Sequence, residues 1–566
     1  MKTVIFPFHK HYALLAKNIA DFDFLQPVQF VEGWKNSQKN LQEKWETDVI
    51  LIFIGSLGIA TRLTAPFLKN KRIDPGIIVI DGAAKFCIVV NGGHSRSMNT
   101  LCRLIAEQLQ LIPVITTGTD ACGYLSPEEI AERLDCQIED PHYLLKTIQS
   151  RLIEGEIIPI CFDEPFSPPY FPGYQIQSSH HQFPQEPFLY LTDRIFSSPK
   201  AVFVRPRSLV IGTGFRKQFS LDKFVDSYHD FIEKNKYSHL SVAEVLTLDR
   251  KVSSLLPLVQ KISINITGYS PDQLKNVSGE FYSPCAQKHL KIPGLSEPSL
   301  IIRGAEILVG KTVYPDMTFA LGRLPWNPQG SLMFVGIGPG QPNLMTIQAI
   351  QALEESDLII GYETYLKMVP FRYQNRILSI FTQMGEEIQR VKKAIELVKK
   401  GNRVAVISSG DSGVFGMTAP GVELAIQENI PWRIVPGITA AIWGASLIGS
   451  PLVNGFCVIS LSDYLIGWDN IITNLQLLAQ TELPIVVYNL VKKDRSQKIE
   501  ELVDIVQQNR GLETNVAIIK KDGTKEFIQL QQLVHSNLDM NTLLIIGGLR
   551  NKRLGKYLIT DRGYNL

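Results

Sequence analysis

The chain has 566 residues, too many for one hydrophobic core, and predicts roughly three or four domains of ordinary size. Hydrophobic residues make up 45% and charged residues 20%, the balance of a folded globular protein, which excludes a disordered or fibrous chain. With 57 basic against 55 acidic residues the formal charge is +2, so nothing global calls for nucleic acid or an anionic membrane and any anion binding must be local.

In the front half, short apolar runs bounded by turn signals alternate with amphipathic stretches: "TVIFPF", "DVILIFIGSLGI", "GIIVID", "KFCIVV" and "PVITTGTDA". This alternation predicts α/β structure. Met98, Leu101, Leu104, Ile105 and Leu109 share one face of a helix expected to pack on that sheet. The proline-dense tract from Asp163 to Phe188 lacks backbone donors and predicts an irregular segment. "SLVIGTGF", a helix over Leu221 to Lys234 and "LSVAEVLTLDRKVS" start a further α/β unit that ends near Ala320, and "LGRLPWNPQG" has the composition of a linker. The expected domains are 1–125, an irregular central domain over 126–205, 206–320, a linker at 321–330, and 331–566. The last of these carries eight strand-like runs: "LMFVGIG", "DLIIGY", "RVAVISSG", "WRIVPG", "FCVISLSD", "IVVYNL", "VAIIKK" and "TLLIIGG".

Seven cysteines, an odd number without a CxxC pair, fit a reduced protein with no structural metal site. The start "MKTVIFPFHKHY" is too short in its apolar core for a secretory signal, and no segment reaches the roughly 18 apolar residues of a membrane span. A cytoplasmic enzyme is expected.

The glycine-rich run "MFVGIGPGQPNLMT" follows the first strand of the last domain. It is not a dinucleotide fingerprint, because Gln341 fills the third glycine position, and it lacks the lysine of a phosphate-binding loop. "ISSGDSGVFGM" and "IVPGITAA" are two more glycine-rich strand ends. In a parallel sheet three such ends line one crevice, where glycine lets a ligand approach bare backbone. Asp411 is the sole acidic group among them, which favours a hydroxyl-bearing or sulfonium ligand over a phosphate. Its alternative role is a helix N-cap.

With "GYETYL", "SSGDSG", "SLSD", "VVYNL" and "TDRGY", these motifs resemble the cobalamin-pathway tetrapyrrole methylases over Ser331 to Leu566, and among them precorrin-3B C-17 methyltransferase. The resemblance implies a two-lobed fold and S-adenosylmethionine as cofactor. It puts Pro339, Gly340, Ser409, Gly410, Asp411, Val414, Thr439, Ala440 and Asn489 at the cofactor, and Asp463 at the substrate as a candidate catalytic group. The implied reaction is methylation of a precorrin-3 type tetrapyrrole at C-17 with ring contraction. The protein would mainly align the reactants. The resemblance also leaves room for a homodimer through the methylase domain.

"GSLGIATRLTAPFLKNKRIDPGIIVIDGAAKFCIVVNGGHSRSMN" with "PVITTGTDA" resembles cobalt-precorrin-5A hydrolase, which opens a ring lactone and releases acetaldehyde. The whole is thus expected to be α/β and multidomain, a hydrolase-like front half followed by a two-lobed methylase fold. Lactone opening needs a general base and oxyanion stabilisation. His94, beside Gly93 and near Asn99, Thr116, Thr117 and Asp120, is the candidate base; a structural histidine is the alternative. Arg62 and Arg96, like Arg216 and Lys217, suit the macrocycle's carboxylates, or are ordinary surface charge. Ser95, Arg96, Ser97 and Met98 stand where the family has small glycine-rich residues, which favours a second reading of the front half as a non-catalytic tetrapyrrole-binding or handover module.

Overall fold

The computed structural model describes residues 2–31, 37–70, 73–93, 97–178, 183–216, 219–262, 264–279, 283–490 and 496–564. They form two compact units, Met1–Pro328 and Gln329–Leu566.

The front unit holds three sheets. The first orders its strands Val28–Phe30, Lys2–Pro7, Val49–Ile54, Gly76–Ile80, Phe86–Asn91 and Ile112–Val114, with the pair Gly76–Ile80 and Phe86–Asn91 antiparallel and the rest parallel. Val49–Ile54 is buried on both faces, which is why it reads as an unbroken apolar run. Ile50, Ile52 and Ile54 enter one core while Val49, Leu51 and Phe53 enter the other. The helix Met98–Leu109 covers the first core with Met98, Leu101, Cys102 and Ile105, but Leu104 is exposed. The apolar stripe is therefore narrower than the sequence pattern suggests and is completed by Cys102 and Ala106.

Residues 126–205 are not irregular. They contribute to a five-stranded sheet ordered Cys136–Glu139, Ala201–Pro206, Phe188–Leu191, Ile158–Phe162 and Tyr174–Ser178. Its strands "FLYL" and "IPICF" are fully buried and too short to display alternation, while most of the tract's prolines lie between strands. The third sheet runs Asn265–Tyr269, Val242–Leu248, Leu209–Phe215, Met317–Arg323 and Glu306–Tyr314. The first three residues of the expected linker belong to it: Leu321 pairs with Ile211 and Arg323 with Leu209, and Leu321 is fully buried.

The second unit has two lobes. Four parallel strands, Leu358–Gly361, Arg403–Ser408, Ser331–Gly336 and Trp432–Val435 in spatial order, make the first. Leu332 and Phe334 enter one core and Met333 and Val335 the other, each buried side chain contributing on the order of 1.5–3 kcal/mol. The second lobe is a mixed sheet of Cys457–Ser460, Ile485–Tyr488, Leu543–Ile546, Asn515–Ile519 and Lys525–Gln529. A small sheet joins Gly449–Ser450 to a hairpin of Asn551–Leu554 and Tyr557–Thr560.

Candidate active site

In the first lobe all four strands point the same way, so their carboxyl ends lie together and the turns that follow them meet. Gly338 and Gly410 exchange backbone hydrogen bonds of 3.0 and 2.8 Å. Both have positive φ, +74° and +63°, which glycine adopts freely. A methyl group on Gly437 would lie 2.0 Å from the Gly410 carbonyl oxygen and 2.6 Å from that of Gly336. The third turn is thus held against the first two by the absence of a side chain.

Asp411 ties these turns together. One carboxylate oxygen accepts the Gly413 N–H at 2.8 Å and the other accepts the Gly437 N–H at 2.9 Å. It is not a helix cap, because the next helix begins at Thr418 with Met417 at its N-cap. Each oxygen keeps a lone pair for a further donor.

The second lobe reaches the same place through Tyr488, at the end of the strand Ile485–Tyr488. Its Oη accepts the Ala441 N–H at 2.6 Å and lies 2.7 Å from Thr439 Oγ1. Thr439 is the N-cap of the helix Ala440–Ile448 but caps nothing with its own side chain, so Tyr488 supplies the missing acceptor. Burial raises the Tyr488 phenol above its usual value. Its ring lies 5.3 Å from that of Phe415, in the segment that also carries exposed Val414. Asn489 has φ +55° and donates from Nδ2 to Ser460 Oγ at 2.9 Å.

Pro339 is buried and Gly340, with φ +122°, is half-buried. A methyl on Gly340 would stand 3.4 Å from Met368 Cε and 3.9 Å from Lys521 Cε, so both lobes border it. The side-chain oxygen of neighbouring Gln341 is buried without a hydrogen-bond partner among the described residues. An orphaned acceptor beside bare glycine backbone fits a polar ligand. Pro339, Gly340, Ser409, Gly410, Asp411, Thr439 and Ala440 therefore border this convergence, with Val414 on its exposed flank and Asn489 beside Tyr488. Tyr488, Met368 and Lys521 were missed from sequence. Only Tyr488, inside the strand run "VVYNL", carried a signal there.

Asp463 takes a different part. It is ion-paired to Lys498 Nζ at 2.5 Å, and Lys498 lies over the Trp468 ring at 4.3 Å. Both partners belong to the second lobe, and the Asp463 side chain stays partly exposed.

In the front unit, Asn99 is buried and donates from Nδ2 to Thr117 Oγ1 at 3.2 Å. A methyl on Gly93 would stand 2.8 Å from Thr117 Cγ2 and 2.9 Å from Asn99 Oδ1, so these three are packed together. His94, Ser95 and Arg96 lie outside the described residues, as do Lys217 and the side chain of Asp120. Arg62 is exposed on the helix Leu57–Thr64, and Arg216 pairs with Asp316 at 2.9 Å. Among the described residues no group of three or more His, Cys, Asp or Glu could hold a metal ion, and no helix is long and apolar enough to cross a membrane.

Residues 331–539 match the family model of tetrapyrrole (corrin/porphyrin) methylases. The chain is 35% identical over 242 aligned residues to a protein of Salmonella typhimurium named "Probable cobalt-factor III C(17)-methyltransferase", covering 42% of this chain and 100% of that protein. The chain belongs to the tetrapyrrole methylases. Its methylase unit also matches, at 33% identity and 42% of this chain, the cobalamin biosynthesis protein CbiHC of Archaeoglobus fulgidus, of which it spans 53%. Residues 39–120 and 209–322 match the N-terminal and C-terminal models of cobalamin synthesis G, so segments similar to that family precede the methylase unit on one chain. Among solved structures, the methyltransferase CobJ is 27% identical with a TM-score of 0.38, covering 41% of this chain and 100% of that one. A cobalamin biosynthesis protein G homolog from Sulfolobus solfataricus is 20% identical with a TM-score of 0.27, covering 57% of this chain and 97% of that one.

Proposed function

We propose that the methylase unit transfers a methyl group from S-adenosylmethionine to C-17 of a precorrin-3 type tetrapyrrole, with ring contraction. The observation that carries this reading is the meeting of the Gly338, Gly410 and Gly437 backbones with the Thr439–Tyr488 pair, in a chain 35% identical to a protein named as a C(17)-methyltransferase.

Bound cofactor supplies an electrophilic methyl group, so the chain needs little acid–base chemistry and contributes mainly alignment. Asp411 keeps two turns in register and has lone pairs left for hydroxyl donors. Gly340 and Gly410 present backbone without side-chain obstruction, and the Gln341 oxygen offers an unused acceptor. Tyr488 fixes the helix start that carries Thr439 and Ala440. These groups hold; none is required to move a proton.

For the front half we propose lactone opening of a cobalt-precorrin-5A type intermediate with His94 as general base, supported by the two family matches and by the packing of Gly93, which precedes His94 in the chain, with Asn99 and Thr117. Both activities are tested by incubating the purified chain with corrin intermediates and S-adenosylmethionine and following methyl addition and acetaldehyde release by mass spectrometry. No methyl addition to any precorrin-3 type substrate would refute the first reading. Absence of acetaldehyde from authentic lactone would make the front half a handover module. If acetaldehyde is released, His94→Ala should abolish it and leave methyl transfer intact.

A further inference from the structure

The C-terminal hairpin concentrates positive charge. From Leu549 to Tyr564 the chain carries Arg550, Lys552, Arg553, Lys556 and Arg562 against one acidic side chain, Asp561, although the whole chain is only +2. A shallow, largely open depression of about 460 Å³ lies here, lined by Leu549, Arg550, Asn551, Lys552, Asp561 and Gly563. A smaller one of about 160 Å³ shares Arg550 and Asn551 and extends to Glu482.

The floor of this site is fixed. Asn551 Oδ1 accepts the Gly548 N–H at 2.6 Å, and its Nδ2 donates to the Pro451 carbonyl and to Thr560 Oγ1, both at 3.0 Å. The rim is differently made. Arg550 pairs with Glu482 at 2.9 Å and Lys552 with Asp561 at 3.0 Å, all four about half exposed. Exposed pairs of this kind add little net stability, so an incoming carboxylate can take either cation without disturbing the fold. Arg553, Lys556 and Arg562 have no acidic partner among the described residues and lie over the rings of Phe527, Tyr557 and Tyr564, at 5.1, 5.5 and 5.7 Å. Tyr557 and Tyr564 are themselves exposed.

The hairpin is separate from the cofactor turns. The helix Ala440–Ile448 starts beside Tyr488 and ends at Gly449, whose strand pairs with Tyr557–Thr560. Its nine residues span about 13 Å.

We infer that the hairpin is a second carboxylate-binding site, which takes a planar macrocycle bearing several acetate and propionate side chains and holds it outside the methyl-transfer site. This rests on the reading of the substrate as a carboxylate-rich tetrapyrrole. Guanidinium groups bind carboxylates as bidentate forks, and exposed tyrosine rings offer faces to a planar ring system. The cations set a preference for many carboxylates over few.

The test uses the full chain and commercial porphyrins that differ in carboxylate number. Uroporphyrin, an octacarboxylate, should bind with salt-sensitive affinity and far more tightly than dicarboxylate mesoporphyrin. Carbodiimide should couple its carboxyls to Lys552 or Lys556, the activated carboxyl losing the carbodiimide as a urea when the amine attacks, and peptide mapping should find the adducts. The variant R553E/K556E/R562E should bind uroporphyrin about tenfold more weakly or worse, with S-adenosylmethionine affinity unchanged. Unchanged porphyrin affinity in that variant, mesoporphyrin binding as tightly as uroporphyrin, or adducts only elsewhere would overturn the inference. So would displacement of uroporphyrin by an RNA oligonucleotide at equal affinity, which would mark a general polyanion surface. The adduct map needs no variant and so stands even if the triple change impairs folding. Loss of the methyl-transfer reading would show in the methylation assay and not in this map.

Discussion

Tyr488 Oη accepts the Ala441 N–H at 2.6 Å, so a residue of the second lobe caps the helix that follows the third turn of the first lobe. The same oxygen lies 2.7 Å from Thr439 Oγ1. One hydroxyl therefore couples the position of one lobe to the geometry of the cofactor turn on the other.

Tyr488→Phe should lower stability of the methylase unit by about 1 kcal/mol, the scale of a lost cap, and weaken S-adenosylmethionine binding several-fold. Denaturant titration and calorimetry measure the two. Burial raises the phenol above its usual 10, so the folded state favours the neutral form. Its contribution is fully present below pH 10 and lost as pH rises through the raised folded value; the gap between wild type and variant should close in strong alkali. Identical unfolding curves at neutral pH would show that the contact is dispensable.

Asp411→Ala removes the acceptor from the Gly413 and Gly437 N–H groups together. A cost on the order of 1–3 kcal/mol is expected in stability or in cofactor affinity. Asp411→Asn should be milder, since its amide oxygen can serve one of the two donors. Equal effects of Ala and Asn on both measurements would mean that the carboxylate charge matters and the double acceptance does not.

Gly437→Ala places a carbon 2.0 Å from the Gly410 carbonyl oxygen, a clash with backbone that can be relieved only by separating the turns. Loss of cofactor binding with destabilisation of about 1–3 kcal/mol is expected. Gly467→Ala meets nothing within 4 Å and is the matched control. A Gly437→Ala protein that binds cofactor normally would refute the close approach.

Asp463→Asn breaks the ion pair to Lys498. Stability should fall by about 1 kcal/mol, while the methyl-transfer rate at saturating substrate stays within roughly tenfold of wild type. A rate loss of a thousandfold or so would return Asp463 to the chemistry.

Pattern along the chain alone located most strands of the first sheet and of the methylase unit, and the three glycine-rich turns. "VILIFI" is apolar at every position because both faces of an interior parallel strand are covered; the eight runs of the methylase unit are also strands, although Trp432, Arg433 and Ile434 in one of them are exposed. Glycines 338, 410 and 437 were legible as strand-end turns because backbone freedom at such a turn is a local property. What lies across the sheet was not legible. The 2.0 Å approach at Gly437, the caps supplied by Tyr488 and the pairing of Asp463 with Lys498 join residues far apart in the chain, and pattern within a window of residues carries no information about such partners. The central sheet escaped notice for a different reason: strands of four or five fully buried residues among prolines have no period to detect. Local periodicity fixes which segments are strands and helices, whereas which turns meet and which side chain caps which helix follow only from packing the whole unit.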